Sequence, residues 1–203
     1  MLRQDEEQKS DREKSEKIEA VAEWTLRIID THGLDSLSFA RVARAAHVSR
    51  AWLYKYIGRT KEELMIVAIR RFGRLISGLD RRPRTDSKEN WVHDTMANTQ
   101  SLFLQSRERP WMLRIYYRYK GSNTVLGEVI LDLESRYLDS HTREIAHVWS
   151  LPEDESRILA EALMAARLGM AHRYQYRKED VEEDDRSRFF ALLRRWLGDI
   201  SPA

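Results

Sequence analysis

The stretch from Ser38 to Tyr56, SFARVARAAHVSRAWLYKY, holds two helix starts eleven residues apart, which leaves room for little except a tight helical corner. Ser38 is a good N-cap, and Phe39, Val42, Ala43 and Ala46 then recur at helical spacing on one side. Ser49 can cap a second helix, with Val48 and Leu53 at the N′ and N4 positions of a hydrophobic staple. The turn is therefore His47-Val48-Ser49.

In the second helix Leu53 and Ile57 face the first, which leaves Ala51, Trp52 and Lys55 outward, flanked by Tyr54 and Tyr56. That face suits a nucleic-acid groove, where cations and hydroxyls meet phosphates and apolar atoms meet thymine methyls. A helix-turn-helix places its second helix in the major groove in this way. Arg50, Ala51, Trp52 and Lys55 are the candidates for base edges, and Ser38, Ser49, Tyr54, Tyr56 and Lys61 for phosphates. Arg41 and Arg44 can reach the DNA backbone or a groove edge. The distribution of charge supports this more than its total. Net charge is only +2 over 203 residues, yet between Asp35 and Glu62 the charged residues are Arg41, Arg44, Arg50, Lys55, Arg59 and Lys61, all positive.

The residues from Ser38 to Leu64 also resemble the N-terminal module of the TetR family of bacterial transcription regulators. The resemblance rests on Ser38, Val42, Ala43, Ala46, Val48, Ser49, Leu53, Tyr54, Tyr56, Lys61, Glu62 and Leu64. His47 stands where that family usually has glycine, at a turn position that asks for left-handed backbone, and Ile57 replaces the usual phenylalanine. Gly58-Arg59-Thr60 is one residue longer than the usual connection, and Trp52 is bulkier than the common residue there. The resemblance implies an all-α protein with a three-helix DNA-binding head and a helical body, and a small-molecule inducer.

Periodicity extends the helical reading along the chain. Met1 to about Glu16 has mixed charge and no apolar face, so 1–16 reads as a frayed or disordered arm. Ile18, Val21, Ala22, Thr25, Ile28 and Ile29 form the stripe of a first helix ended by Gly33, with Leu34 folding back. Thr60 and Glu63 make a capping box for a fourth helix carrying Leu64, Met65, Ala68, Ile69, Phe72, Leu75, Ile76 and Leu79. The head and this connecting helix span 17–79. The break at Asp80 to Ser87, with Pro83, opens a body over 80–203 with five more helices, about nine in all. An acidic connector, Glu182-Glu183-Asp184-Asp185, is expected before the last helix.

Two sites are expected in the body. Ile158, Ala162, Ala165, Ala166 and Gly169, with Phe189, Phe190, Leu193, Trp196 and Leu197, can form a homodimer surface on the last two predicted helices, because a two-fold operator asks for two recognition helices. Trp91, Met96, Phe103, Met112, Tyr116, Tyr137 and Met164 can line a pocket for a small apolar or amphipathic ligand; equally they are ordinary core. The body then serves either as a ligand sensor or as a dimerisation or protein-interaction module alone.

Other classes find little support. There is no cysteine, which excludes disulfides and thiolate sites. Six histidines show no zinc-type spacing, and no phosphate loop, nucleophile elbow or catalytic carboxylate pair stands out, so no metal, cofactor or enzymatic activity is expected. The N-terminus lacks the apolar core of a signal peptide and no stretch reads as a membrane span, so a cytoplasmic location is expected.

Overall fold

A computed structural model describes the backbone of residues 2–77, 84–176 and 179–200, and the side chains of residues 8–73, 84–176 and 186–200. Among these are nine α-helices and no strand: α1 (Leu2–His32), α2 (Phe39–Ala45), α3 (Arg50–Tyr56), α4 (Lys61–Ser77), α5 (Lys88–Glu108), α6 (Trp111–Tyr119), α7 (Val125–Trp149), α8 (Glu153–Tyr174) and α9 (Glu179–Gly198). The all-α architecture expected from the sequence is the one observed. Two compact units result, one of Met1–Arg74 with Arg114–Val129 and the other of Leu75–Leu113 with Ile130–Ala203. They do not follow the single boundary expected near residue 80, because α6 and the start of α7 give residues to the first unit.

The first unit is built on α1. Gly33 takes φ +79° after His32, and its N–H donates to the Ile29 carbonyl at 2.9 Å, closing the helix as its glycine foretold. A short 3₁₀ turn, Leu34–Ser36, then carries the chain to Leu37, which is buried. Val21, Leu26 and Ile29 of α1, Val42 of α2, Leu53 of α3 and Leu64, Ala68 and Phe72 of α4 are all buried, with α1 packed on α2 and α2 on α3. Fully burying a leucine such as Leu53 contributes about 2 kcal/mol. Arg71 of α4 pairs with Glu19 of α1 at 2.8 Å. Asp30 of α1 accepts from Arg114 of α6 through both oxygens, at 3.1 and 2.6 Å, while Arg118 donates to the Asp30 carbonyl at 2.6 Å. That bidentate clasp is why residues expected in the body belong to this unit.

One expectation for this unit is corrected. The segment expected as an arm is helical from Leu2, continuous with α1. It needs no apolar face, because Gln, Glu, Lys and Arg are good helix formers and their i,i+4 pairs, such as Arg12 with Glu16 at 3.1 Å, add support. Leu75, Ile76 and Leu79 lie outside the described side chains, and the Pro83 break lies outside the described residues.

In the second unit α5 packs against α8 and α9. Trp91, Tyr137, Trp149, Leu163, Leu193 and Leu197 form its core, with Trp91 and Trp149 edge to face at 5.0 Å. Ser87 caps α5, its hydroxyl accepting from Asn90 N–H at 3.1 Å. The acidic run Glu182 to Asp185 is part of α9, not a connector before it. It stands in the early turns of that helix, and acidic residues are favoured at the positive end of a helix dipole.

His141 of α7 is buried in this unit and stacks on Tyr137 at 4.0 Å. Burial first, and then the nearby Arg167 charge, push its pKa from 6.5 down to about 3, so the imidazole is neutral in the fold. Unfolding exposes a histidine that takes up a proton below about 6.5. The depressed folded value therefore contributes stability that is complete above pH 6.5 and is lost as pH falls toward 3. The expected loss approaches about 1.4 kcal/mol per pH unit within that window. Chemical denaturation from pH 7 to 4, compared between wild type and His141→Phe, checks it: the variant should have the flatter slope.

Candidate nucleic-acid interface

Each of the two short helices begins on a capped serine. The Ser38 hydroxyl accepts from Arg41 N–H at 3.3 Å, and the Ser49 hydroxyl accepts from Trp52 N–H at 3.0 Å. Between them His47 takes φ +54°, the left-handed conformation expected of it, and Val48 N–H donates to the Ala43 carbonyl at 3.0 Å. Val42, Ala43, Ala46 and Leu53 are buried, so the opposite faces of α2 and α3 are held outward.

On those faces Ser38, Arg41, Arg44, Ser49, Arg50, Ala51, Tyr54, Lys55, Tyr56 and Lys61 are all exposed. None of the five cations in that set pairs with a carboxylate among the described residues. Trp52 is half-buried, because its indole leans on Tyr56 with ring centroids 5.0 Å apart. Tyr54 rests on Phe39 at 5.2 Å. The aromatics are thus braced in pairs, one helical turn apart in the first case.

A residue that the sequence reading left out joins them. The Lys14 ammonium of α1 lies 5.0 Å from the Tyr56 ring centroid, and Lys55 lies 4.9 Å from it. The only available signal was the helix-forming composition of the first sixteen residues, which would have carried α1 back past Lys14.

The longer connection before Lys61 is absorbed locally. Gly58 takes φ +141°, and the Glu63 carboxylate occupies the space that a side chain at position 58 would need. Glu63 Oε2 accepts from Arg59 N–H at 2.6 Å and from Thr60 N–H at 2.9 Å, while the Thr60 hydroxyl accepts from Glu63 N–H at 3.2 Å. These backbone bonds, Thr60's first and then Arg59's, hold the Glu63 carboxyl below the usual range. Its negative charge is directed at the α4 N-terminus, and Lys61 remains exposed beside it.

Residues 23–68 match the family model for bacterial regulatory proteins of the tetR family. Over this stretch the chain is similar to the N-terminal module of the TetR family. A comparison with curated protein sequences finds no match. Among solved structures, a TetR-family transcriptional regulator from Streptomyces coelicolor superposes with a TM-score of 0.62 at 18% identity, covering 91% of this chain and 97% of that one. A TetR-like transcriptional regulator from a Rhodococcus species gives 0.60 at 16%, covering 92% and 97%. A putative fatty acid metabolism regulator from Clostridium perfringens gives 0.60 at 14%, covering 88% and 96%. These likenesses establish a shared fold, and the family match supports a DNA-binding regulatory module over residues 23–68.

The expected body sites are scattered more widely. Trp91, Met96 and Tyr137 are in the core of the second unit, with Met164 packed against it. Phe103 is buried against Tyr174, Phe189 and Phe190, and Met112 is wholly buried. Tyr116 belongs to the first unit, so the seven do not form one set. Of the dimer candidates, Ile158, Ala162, Ala165 and Gly169 are exposed along one face of α8, and Ala166, Phe189, Phe190 and Trp196 are half-buried. Leu193 and Leu197 are removed from that surface: they are 3% and 1% exposed, pointing into their own unit's core. Leu192, 66% exposed, is the apolar residue of α9 that the sequence reading passed over.

A left-handed conformation costs a residue with a Cβ about 1–2 kcal/mol, while glycine there forfeits about 0.5–1 kcal/mol of chain entropy. His47→Gly is therefore expected to stabilise the chain by up to about 1 kcal/mol. Urea melts at fixed protein concentration will show it as a raised midpoint with an unchanged slope.

Proposed function

We propose that the protein is a TetR-type repressor that reads a two-fold operator as a homodimer and is released when a small apolar or amphipathic ligand binds its body. The observation that carries the DNA half is a set of cations on one outward surface, Arg41, Arg44, Arg50, Lys55 and Lys61, that pair with no carboxylate among the described residues and are held by helices whose inner faces are buried. Arg50, Ala51, Trp52 and Lys55 meet base edges in this reading, and Ser38, Ser49, Tyr54, Tyr56 and Lys61 meet phosphates. One chain presents one recognition helix, and a two-fold site asks for two.

The partner in the dimer is a second copy, docked on α8 and α9. Ile158 and Leu192 are each 66% exposed, and the small residues Ala162, Ala165 and Gly169 let another helix approach closely. Ligand acts by population shift: it favours the dimer form whose two recognition helices are wrongly spaced for successive major grooves. Each tenfold loss of operator binding then needs about 1.4 kcal/mol of differential affinity. The regulator works without enzymatic turnover or a bound metal, and its place of action is the cytoplasm, where its target lies. The dense packing of Trp91 and Met112 favours a second reading, in which the body only dimerises.

One set of titrations tests the main reading. Operator fragments selected from random duplexes are titrated with wild type, Arg50→Ala, Lys55→Ala and Leu192→Glu at several salt concentrations. Loss of one phosphate contact should lower the salt slope by about 1, whereas loss of a base contact should relax sequence preference. Leu192→Glu should sediment as a monomer and bind the full operator at least tenfold more weakly. Unchanged affinity in folded Arg50→Ala and Lys55→Ala would remove α3 from the interface.

A further inference from the structure

Among its described residues, the second unit contains a cation without a counter-charge. Arg167 of α8 is 5% exposed, and no carboxylate pairs with it among the described residues. Its Nη1 donates to the Tyr137 hydroxyl at 2.6 Å, and its buried Nε donates to nothing. The Tyr137 hydroxyl accepts that bond, and its own hydrogen makes none. Burial raises the Tyr137 pKa, so this hydrogen stays in place. His141, stacked on the same ring, directs Nδ1 to the Tyr137 carbonyl at 3.2 Å. The nearby Glu144 is bonded to Ser140 at 2.9 Å and to the Trp91 indole N–H at 3.3 Å.

An isolated buried guanidinium is costly unless something neutralises it. Arg167 and Tyr137, two bonded side chains, each keep an unspent donor, and a carboxylate with two oxygens can satisfy such a pair. The surroundings of that pair are apolar. Leu163 and Met164 stand one helical turn before Arg167 on α8, in or against the cluster that holds Tyr137 and Met96. Methionines repack readily around an unbranched chain.

We infer that Arg167 and Tyr137 form the head-group site for a carboxylate-bearing amphipath whose apolar tail lies along Met96, Leu163 and Met164. This rests on the reading that the body binds a ligand, and it narrows that ligand from any apolar compound to an organic acid. The guanidinium supplies the charge, the phenol supplies a second hydrogen bond, and the apolar cluster discriminates the acid from a bare inorganic anion.

The test uses the full-length dimer and four probes: decanoate, 1-decanol, acetate and inorganic phosphate. Decanoate should bind at least tenfold more tightly than decanol, acetate or phosphate by titration calorimetry. Arg167→Met should bring decanoate to within about twofold of decanol, while its melting temperature without probe stays at or above that of wild type, since the substitution removes an unneutralised charge. If Arg167→Met does not fold, Tyr137→Phe serves instead, with decanoate weakened several-fold and decanol unchanged. The assignment is overturned if decanoate does not bind the wild type, if acetate or phosphate matches it, or if neither substitution alters the acid-to-alcohol ratio. Operator titrations with decanoate separate the two readings. Binding through Arg167 without operator release keeps the site and removes the ligand-released repressor; release undiminished in Arg167→Met does the reverse.

Discussion

A helix of seven residues does not persist in water by itself, because nucleating its first turn costs more than so few hydrogen bonds return. Yet α3 is such a helix, and the proposed reading of DNA by the head depends on its being rigid. Its order is imposed from outside. Ser49 satisfies one free backbone donor, Leu53 is wholly buried, α2 packs against α3, and the left-handed His47 turn fixes the direction from which α3 departs. Remove the supporting shell and the outward cations lose their common direction, though not one of them touches the core.

This dependence explains why so much of the head was legible in the sequence. Caps, a staple and a positive-φ turn are local devices, each readable from two or three residues, and Ser38, Ser49, His47 and the Thr60–Glu63 box all stand as read. What escaped was tertiary. Nothing in the spacing of Asp30 and Arg114 announces that they pair across 84 positions, and so α6 from Arg114 onward was assigned to the body. Leu193 and Leu197 show the same limit in the second unit: periodicity marks an apolar stripe on α9, but only packing decides that these two face inward while Leu192 faces solvent. Trp52 is intermediate. Its outward register was readable, and its partial burial against Tyr56 was not.

Charge was read well where it is exposed and poorly where it is buried. The basic run from Arg41 to Lys61 needs only a count of signs, since every acid is absent by composition. Buried charge carries no such signature. Asp30 and Arg167 look like ordinary helix-surface residues in the sequence, and both are nearly inaccessible in the fold, at 8% and 5% exposure.

The two differ in how they are neutralised. Asp30 accepts a bidentate guanidinium and gives its own carbonyl to a second arginine, so the charge is matched in number and direction. Arg167 has one neutral phenol and a neutral imidazole beside it, and the depressed pKa of His141 is partly its effect. A desolvated cation that adds to the suppression of protonation at its neighbour brings a second cost to the ligand-free body below pH 6.5. An incoming carboxylate removes both at once, because it pairs the guanidinium and cancels the field that His141 feels.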